Sequence, residues 1–355
     1  MPNFGTLSTL DTLATINNTN VIDYGEDRVW QAIQDSLDAH NAILREQLAQ
    51  FCDFTADRLR RYGGPATMDM EEVDEFGTPS AQKITAGANV GFPLRLYEIG
   101  VQWTRKYFQN ATPSEMAAQF IAVEDADVRR VSREVKRALL HPTNLTFEDR
   151  LVDHVSLPVK ALINADSAVL PVGPNGETFD GSTHTHYLAT ASFVVADLNS
   201  LLDTVVEHYG AGQPLLLINK AQEATIRAFT GFVGYLDPRV IGPITATQTR
   251  TGQLDMINVN NQAIGVFGAA EVWVKPWVPA SYVIALMTGS AAKPLALRTR
   301  RGTAGAGALA LEFEDEDHPL RARVFSREYG IGVWNRTAAA VLYTGGGAYV
   351  EPTLT

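Results

Sequence analysis

The spacing of apolar residues predicts a long helix near the N-terminus. Apolar side chains recur every seven residues, and others widen the stripe they form: Trp30, Leu37, Leu44 and Phe51, with Ile33, Leu48, Phe54 and Leu59. Since this spacing keeps residues on one face of a helix, we expect a helix over residues 26–62, ended by Gly63, Gly64 and Pro65. The stripe must pack on its own domain or on a neighbouring chain. The first 24 residues are rich in Thr, Asn and Ser without a period, which predicts a mobile or draped arm.

Glycines and prolines interrupt the next stretch, residues 63–111, at short intervals. Between them lie short alternating runs, for example Val90, Phe92, Leu94 and Leu96. This pattern predicts a long two-stranded excursion without helical character. An isolated two-stranded ribbon is marginal in water, so we expect this one to lean on other chains.

A second helix carries strong start signals. Thr112 is a suitable N-cap, Pro113 suits the first helical position, and Glu115 completes a capping box. Apolar positions then recur at helical spacing up to Leu140, and Pro142 follows. Acidic residues lie early and basic ones late, which complements the helix dipole and favours a solvated amphipathic helix.

The remainder mixes helices and strands. Short segments and turns fill residues 151–190, and two helices, at 194–209 and 221–229, flank a buried strand at 215–218. Later strand-like segments lie at 263–267, 271–275, 282–287, 308–313 and 320–325. Because strands and helices do not alternate regularly, the pattern predicts an α+β fold.

Composition narrows the class of protein. Of 355 residues, 45% are hydrophobic and 19% charged, which is typical of a folded soluble chain. No apolar run approaches the ~20 residues that a membrane span needs, and no signal peptide is apparent. The single cysteine excludes an intrachain disulfide framework, so we expect synthesis in a cytoplasm. The net charge of −11 argues against general nucleic-acid binding.

No pattern in the chain assembles an active site. The glycine-rich run at Gly302, Gly305 and Gly307 lacks the Lys-Ser/Thr of a phosphate loop and precedes a strand-like segment, so we interpret it as a surface loop. Residues 312–318, EFEDEDH, are interpreted as a charged turn. We therefore expect no enzyme activity and no cofactor.

One pair of histidines leaves an alternative open. His184 and His186 could face one side of a strand and bind a metal, with Glu177 or Asp180 as a carboxylate ligand. Ordinary loop histidines are favoured over a metal site by roughly nine to one, because His-x-His pairs are common by chance. The alternative function from this pair is a metal-dependent enzyme.

The order of segments resembles that of tailed-bacteriophage major capsid proteins, the Hong Kong phage fold that encapsulins share. The strand–turn–strand VWVKPWVPASYVIALM (272–287) resembles a family segment with Val-Pro before a Tyr. The stretch 322–353 resembles the family's closing strand, with Arg327, Glu328, Tyr329 and Gly330 followed by Asn335 and Arg336. HTHYLA (184–189) and PLLLINKAQEATIRAF (214–229) add weaker similarity.

The resemblance implies a domain layout: an N-terminal arm and helix (1–62), an extended β-hairpin loop (63–111), a peripheral domain with a long spine helix (112–190 and 320–341), and an axial α/β domain (191–319 and 342–355). It also implies assembly contacts, with more cohesion from the loop and arm than from the spine. The expected contact residues are Met68, Glu71, Glu72, Phe76, Lys83, Arg129, Arg130, Arg133, Arg327 and Glu328.

The same resemblance implies the function and partners. The expected product is an icosahedral virion shell of pentamers and hexamers, made in the host bacterial cytoplasm and enclosing double-stranded DNA without sequence-specific binding. The further partners are a scaffolding protein, or the helix at residues 26–62 acting in its place, a portal and a decoration protein; no membrane is involved. Some relatives crosslink a loop lysine to an asparagine, for which Lys83 and Asn335 are candidates, and we expect no crosslink here. An encapsulin shell is the alternative within the fold.

Overall fold

The computed structural model describes residues 7–62, 70–82, 87–210, 212–235, 262–288, 293–302, 307–316 and 320–354. Within these ranges the helices are α1 (Leu7–Ala14), α2 (Val21–Tyr24), α3 (Glu26–Ala49), α4 (Arg105–Asn110), α5 (Pro113–Leu140), α6 (Val195–Val206) and α7 (Lys220–Arg227). None of these helices combines the length and apolar character that crossing a bilayer requires.

The strands in the same ranges are β1 (Cys52–Thr55), β2 (Leu59–Arg61), β3 (Asn89–Gly91), β4 (Arg95–Thr104), β5 (Leu145–Glu148), β6 (Ser156–Val159), β7 (Tyr187–Ala189), β8 (Gln213–Ile218), β9 (Phe232–Gly234), β10 (Gln262–Phe267), β11 (Ala270–Val274), β12 (Tyr282–Thr288), β13 (Leu295–Arg298), β14 (Ala310–Asp315), β15 (Leu320–Val333) and β16 (Ala339–Tyr343). This mixture confirms the predicted α+β class.

Two large sheets organise the chain. A seven-stranded sheet has the order β7-β16-β12-β8-β11-β10-β9, and a five-stranded sheet has the order β1-β13-β15-β14 with β4 also paired to β15. Strand β15 pairs with β4 and β14 along its first part and with β13 at its end. Only residues 334–338 separate β15 from β16, so one continuous stretch joins the two sheets.

Helix α5 forms where the sequence predicts it. The Thr112 hydroxyl accepts a hydrogen bond from the Glu115 backbone N–H at 3.3 Å, and the Glu115 carboxylate accepts one from the Thr112 N–H at 3.0 Å. The helix buries Met116, Phe120 and Val123 in one apolar cluster and its C-terminal turns in a second cluster that both sheets share. The predicted α6, β8 and α7 are also confirmed, with β8 in the middle of the seven-stranded sheet.

The prediction of one helix over residues 26–62 is wrong at its C-terminal end. Helix α3 ends at Ala49, whose carbonyl accepts a hydrogen bond from the Lys293 ammonium. The chain then enters β1, which pairs in parallel with β13, so that Phe54 lies in a strand. Phe54 and Leu59 continue the helical spacing in the sequence, but in the folded chain they lie in strands β1 and β2.

The prediction of a mobile or draped arm is also wrong for the described part of residues 1–24. Leu10, Leu13 and Val21 are buried in the cluster that α3 and α5 share. Backbone hydrogen bonds join Ser114 N–H to Ile16 and Val21 N–H to the residue before the α5 N-cap. Helix α1 has eight residues, too few for its period to stand out in a sequence window.

The prediction for residues 63–111 needs correction as well. Among the described residues, the two-stranded ladder is short and lies at the root of this stretch, where β3 pairs with β2 just before it. Strand β4 belongs to the five-stranded sheet, where its partner is β15, and α4 follows it directly. The stretch 70–82 forms no strand.

Candidate assembly surfaces

The stretch 70–82 is exposed along its whole length. Every residue in it is exposed, including the large apolar side chains of Met70, Val73 and Phe76. The Asp74 carboxylate accepts a hydrogen bond from the Phe76 N–H at 3.0 Å, and the Glu71 carboxylate accepts one from the Ser80 N–H at 2.8 Å. Local polar contacts therefore shape the stretch, while its apolar side chains face solvent.

The root of this excursion is packed firmly. Tyr62, Val90 and Phe92 are buried in a small cluster with two residues that follow β6 and one residue of β13. The Trp334 ring meets Phe92 edge-on with centroids 6.1 Å apart, and the Arg60 guanidinium lies 5.1 Å from the Trp334 ring. The excursion thus leaves the fold from a fixed point between the two sheets.

The three α5 arginines that were predicted as assembly contacts differ in their exposure. Arg129 and Arg133 are exposed. Arg130 is half-buried, lies 4.1 Å from the Tyr97 ring centroid, and pairs with the buried Glu134 at 3.0 Å. Arg130 is therefore engaged within its own chain, while the other two face solvent.

Arg327 lies inside the chain, not on its surface. Its guanidinium donates to the Asp127 carboxylate at 2.5 Å, to Asn41 Oδ1 at 3.0 Å and to the backbone oxygen of Gly307 at 2.8 Å. His40 Nε2 lies 2.8 Å from the same Asp127 oxygen. Arg327 therefore joins α3, α5 and β15, and it has no exposed surface to offer a neighbour.

Glu328, the next residue, points to the other face of β15. It accepts two hydrogen bonds from Arg300, at 2.7 and 2.8 Å. This bidentate ion pair raises the pKa of Arg300. Met68 and Lys83, the other predicted contact residues of the loop, lie outside the described residues.

Strand β14 is an exposed surface. Residues 312–315 of the predicted charged turn (312–318) lie in this strand, so that prediction is wrong over those residues. All six of its residues are exposed, among them Leu311 and Phe313, and β15 is its partner. Apolar Leu311 and Phe313 alternate with acidic residues at 312 and 314, a pattern that indicates a strand but not which face meets a partner. An edge strand with exposed apolar residues is suited to contact another chain.

No protein-family model matches the chain, and none of the curated proteins matches its sequence. A solved structure from Mycobacterium phage Patience matches with 23% identity and a TM-score of 0.67, covering 91% of this chain and 90% of that one. The capsid of the native GTA particle matches with 12% identity and a TM-score of 0.48, covering 85% and 89%. The encapsulin complex from Synechococcus elongatus matches with 13% identity and a TM-score of 0.45, covering 88% and 90%. The first match shows that this chain has the fold of that phage protein, and the expected capsid fold is confirmed.

Proposed function

We propose that this chain is the major capsid protein of a tailed bacteriophage, a structural subunit without enzymatic activity. Its copies would form the pentamers and hexamers of an icosahedral shell around packaged double-stranded DNA. The observation that carries this proposal is the likeness in fold, over nine-tenths of both chains, to a chain of a mycobacterium phage. The exposed stretch 70–82 supports it, because exposed large apolar side chains are typical of surfaces that contact other chains.

The stretch 70–82 is the proposed main source of cohesion. Burying a large apolar side chain contributes about 1.5–3 kcal/mol. Met70 and Phe76 are free to supply this energy, since Phe76 is 87% exposed and Met70 is fully exposed. A neighbouring subunit that covers them would gain several kilocalories per mole at each contact.

Charge would set the register of the same contact. Glu71 and Glu72 accompany the apolar residues of the stretch, and Arg129 and Arg133 are exposed on α5. Exposed ion pairs contribute only ~0–1 kcal/mol each. We infer that acidic side chains of one subunit face α5 of the next, which selects the position more than it adds strength.

Further partners follow from the same proposal. A separate scaffolding protein would guide assembly, a portal would replace one pentamer, and a decoration protein would bind outside. Synthesis would take place in the host bacterial cytoplasm. The net charge of −11 suits a shell that encloses DNA without binding it tightly, because affinity for phosphate depends on clustered basic residues.

Light scattering and negative-stain microscopy test the proposal on the full chain, expressed alone and together with the proposed scaffolding protein. We expect particles in the megadalton range from a 38.7 kDa chain. Replacing Met70 and Phe76 together by serine should lower the particle yield at least ~tenfold, since it removes several kcal/mol per contact. The control Val152→Ser, at an exposed apolar residue elsewhere, should assemble normally. Monomers or dimers under all conditions with scaffold present would overturn the proposal.

We also propose that the shell is held without covalent links. Asn335 is buried, and its amide donates to the Tyr209 hydroxyl at 2.5 Å while its oxygen accepts from Thr337 at 3.1 Å. An asparagine held in this way is poorly placed to meet a lysine of another chain. Boiled particles should run as one band on a denaturing gel, and a ladder of oligomers would contradict this.

A further inference from the structure

Four side chains with metal-binding groups converge beside β7. His184 and His186 lie just before that strand, and Glu207 and His208 directly follow α6. The Nε2 atoms of the three histidines are 3.1–3.2 Å from one another. The Glu207 Oε1 atom is 3.3 Å from His184 Nε2 and 3.7 Å from His208 Nε2.

The proton of one ring is fixed by its surroundings. His186 Nδ1 lies 2.7 Å from the backbone oxygen of Ala339. A carbonyl oxygen only accepts hydrogen bonds, so Nδ1 carries the proton and Nε2 of the neutral ring presents a lone pair. A backbone acceptor behind the ring is the usual support for a metal-bound histidine.

Hydrogen bonding between the rings does not account for the arrangement. A single N–H on His184 or His208 can serve one Nε2 neighbour, yet each Nε2 here has two neighbours at equal distance. A cation at the centre can instead accept all three lone pairs at once. With metal–nitrogen bonds of about 2.0–2.1 Å, tetrahedral geometry separates the nitrogens by about 3.3 Å, close to the spacing observed.

We propose that His184, His186, His208 and Glu207 bind one Zn²⁺ ion. Imidazole and carboxylate ligands suit zinc, and a set of four closes a tetrahedron. The four ligand atoms lie within 4.8 Å of one another, and the half-exposed Glu207 can rotate inward to complete the set. With no ligand position left open, the site is structural and supports no hydrolytic chemistry.

The ion would fasten a long irregular segment to the seven-stranded sheet. Within residues 160–186, the bridge between Asn164 and Thr185 is the regular pairing that the structure records. Phe179 from this segment packs on the site, with its ring centroid 4.3 Å from that of His208 and 5.2 Å from that of His184. Zinc would tie this segment to the end of α6, and its binding free energy would add to the stability of the fold.

The carboxylates suggested by the sequence do not take part. Asp180 accepts hydrogen bonds from the backbone and side chain of Ser182, and Glu177 accepts them from Asn175. Glu207 is the proposed carboxylate ligand instead, and His208 is the third histidine ligand. Both follow a helix some twenty residues away, so no ligand spacing in the sequence indicates them.

Metal analysis of the full chain, purified without a histidine tag, tests the proposal. We expect about one zinc per chain by mass spectrometry, in line with one tetrahedral site. His208→Ala and His184→Ala should lower the zinc content at least ~tenfold, because each removes a ligand. The matched control His154→Ala, an exposed histidine outside the cluster, should keep it. Glu207→Gln tests the fourth ligand in a variant that retains all three histidines.

Cobalt gives a second readout. After zinc removal with a chelator, added Co²⁺ should produce the intense visible absorption of tetrahedral coordination, and either Co²⁺ or Zn²⁺ should raise the melting temperature. Protein that holds no zinc and gains neither absorption nor thermal stability on adding these ions would overturn the proposal. So would zinc content that the cluster variants leave unchanged while they remain folded.

Discussion

The guanidinium of Arg327 meets the carboxylate of Asp127 at 2.5 Å, and both side chains are buried. This ion pair joins the long strand β15 to the middle of α5. Losing one partner of a buried pair leaves an uncompensated charge, which costs about 3–5 kcal/mol.

The first prediction concerns that pair. Arg327→Met keeps the length of the side chain but leaves Asp127 without its cation, so the free energy of unfolding should fall by about 3–5 kcal/mol in urea titrations. The control Arg129→Met, at an exposed arginine of α5, should change it by less than about 0.5 kcal/mol. Equal effects from the two variants would mean that the buried pair has no special weight.

A second prediction concerns the close approach of β15 to the chain before β4. A Cβ atom on Gly330 would lie 1.9 Å from the backbone oxygen of Pro93. Backbone cannot move aside as a side chain can, so Gly330→Ala should destabilise the fold by at least about 1–3 kcal/mol, the usual range for overpacking. Gly347 has open space around it, and Gly347→Ala should leave the melting temperature nearly unchanged. A Gly330→Ala protein as stable as the wild type would contradict this.

A third prediction links stability to pH through Asp166. Burial raises the pKa of this carboxyl, but the hydrogen bond and charge of Arg336, with Asn144 and Lys160, bring it below the ordinary value. A carboxyl with a lowered pKa adds stability above the pKa of the unfolded chain, about 3.9, and loses it as the pH falls through the folded pKa.

Asp166→Asn removes this contribution. The melting temperature of the variant should lie below that of the wild type at pH 7, and the gap should narrow as the pH falls below about 4. The exposed Asp125→Asn on α5 serves as the control and should show little difference at either pH. A gap for Asp166→Asn that is constant with pH would show that the ion pair contributes nothing.

A fourth prediction concerns the thiol of Cys52. This side chain is fully buried in β1, and burial raises its pKa well above the usual range. Because the thiolate is the reactive form, the native protein should resist Ellman's reagent and react only after unfolding in urea. The variant Val152→Cys, with an exposed thiol, should react at once. Rapid labelling of the native wild type would contradict the burial.

Local signals explain what the sequence could predict. Thr112, Pro113 and Glu115 set the start of α5 through contacts within four residues, so the pattern alone places it. The end of α3 is different, because Lys293 caps Ala49 across more than two hundred residues. The proposed zinc site is different in the same way. Its two halves meet only once β7 and α6 pack together, and the sequence pattern offers only the His184–His186 pair.

The charged residues of α5 do not all lie on a solvated face. A run of acidic and then basic residues predicts a solvated helix, yet Asp127 and Glu134 are buried. Their partners are Arg327 and Arg130. Arg129 and Arg133 have the same side chain but face solvent in the folded chain. Spacing along one helix does not carry that information.

The five residues between β15 and β16 also determine how the molecule responds to force. Four of them, Asn335 to Ala338, are buried, and Arg336 donates to two backbone oxygens and two side chains from its place inside the chain. A pull on the five-stranded sheet passes through this short, anchored link into the seven-stranded sheet. Under force the two sheets should therefore move and unfold together as one rigid unit, instead of bending about a hinge between them.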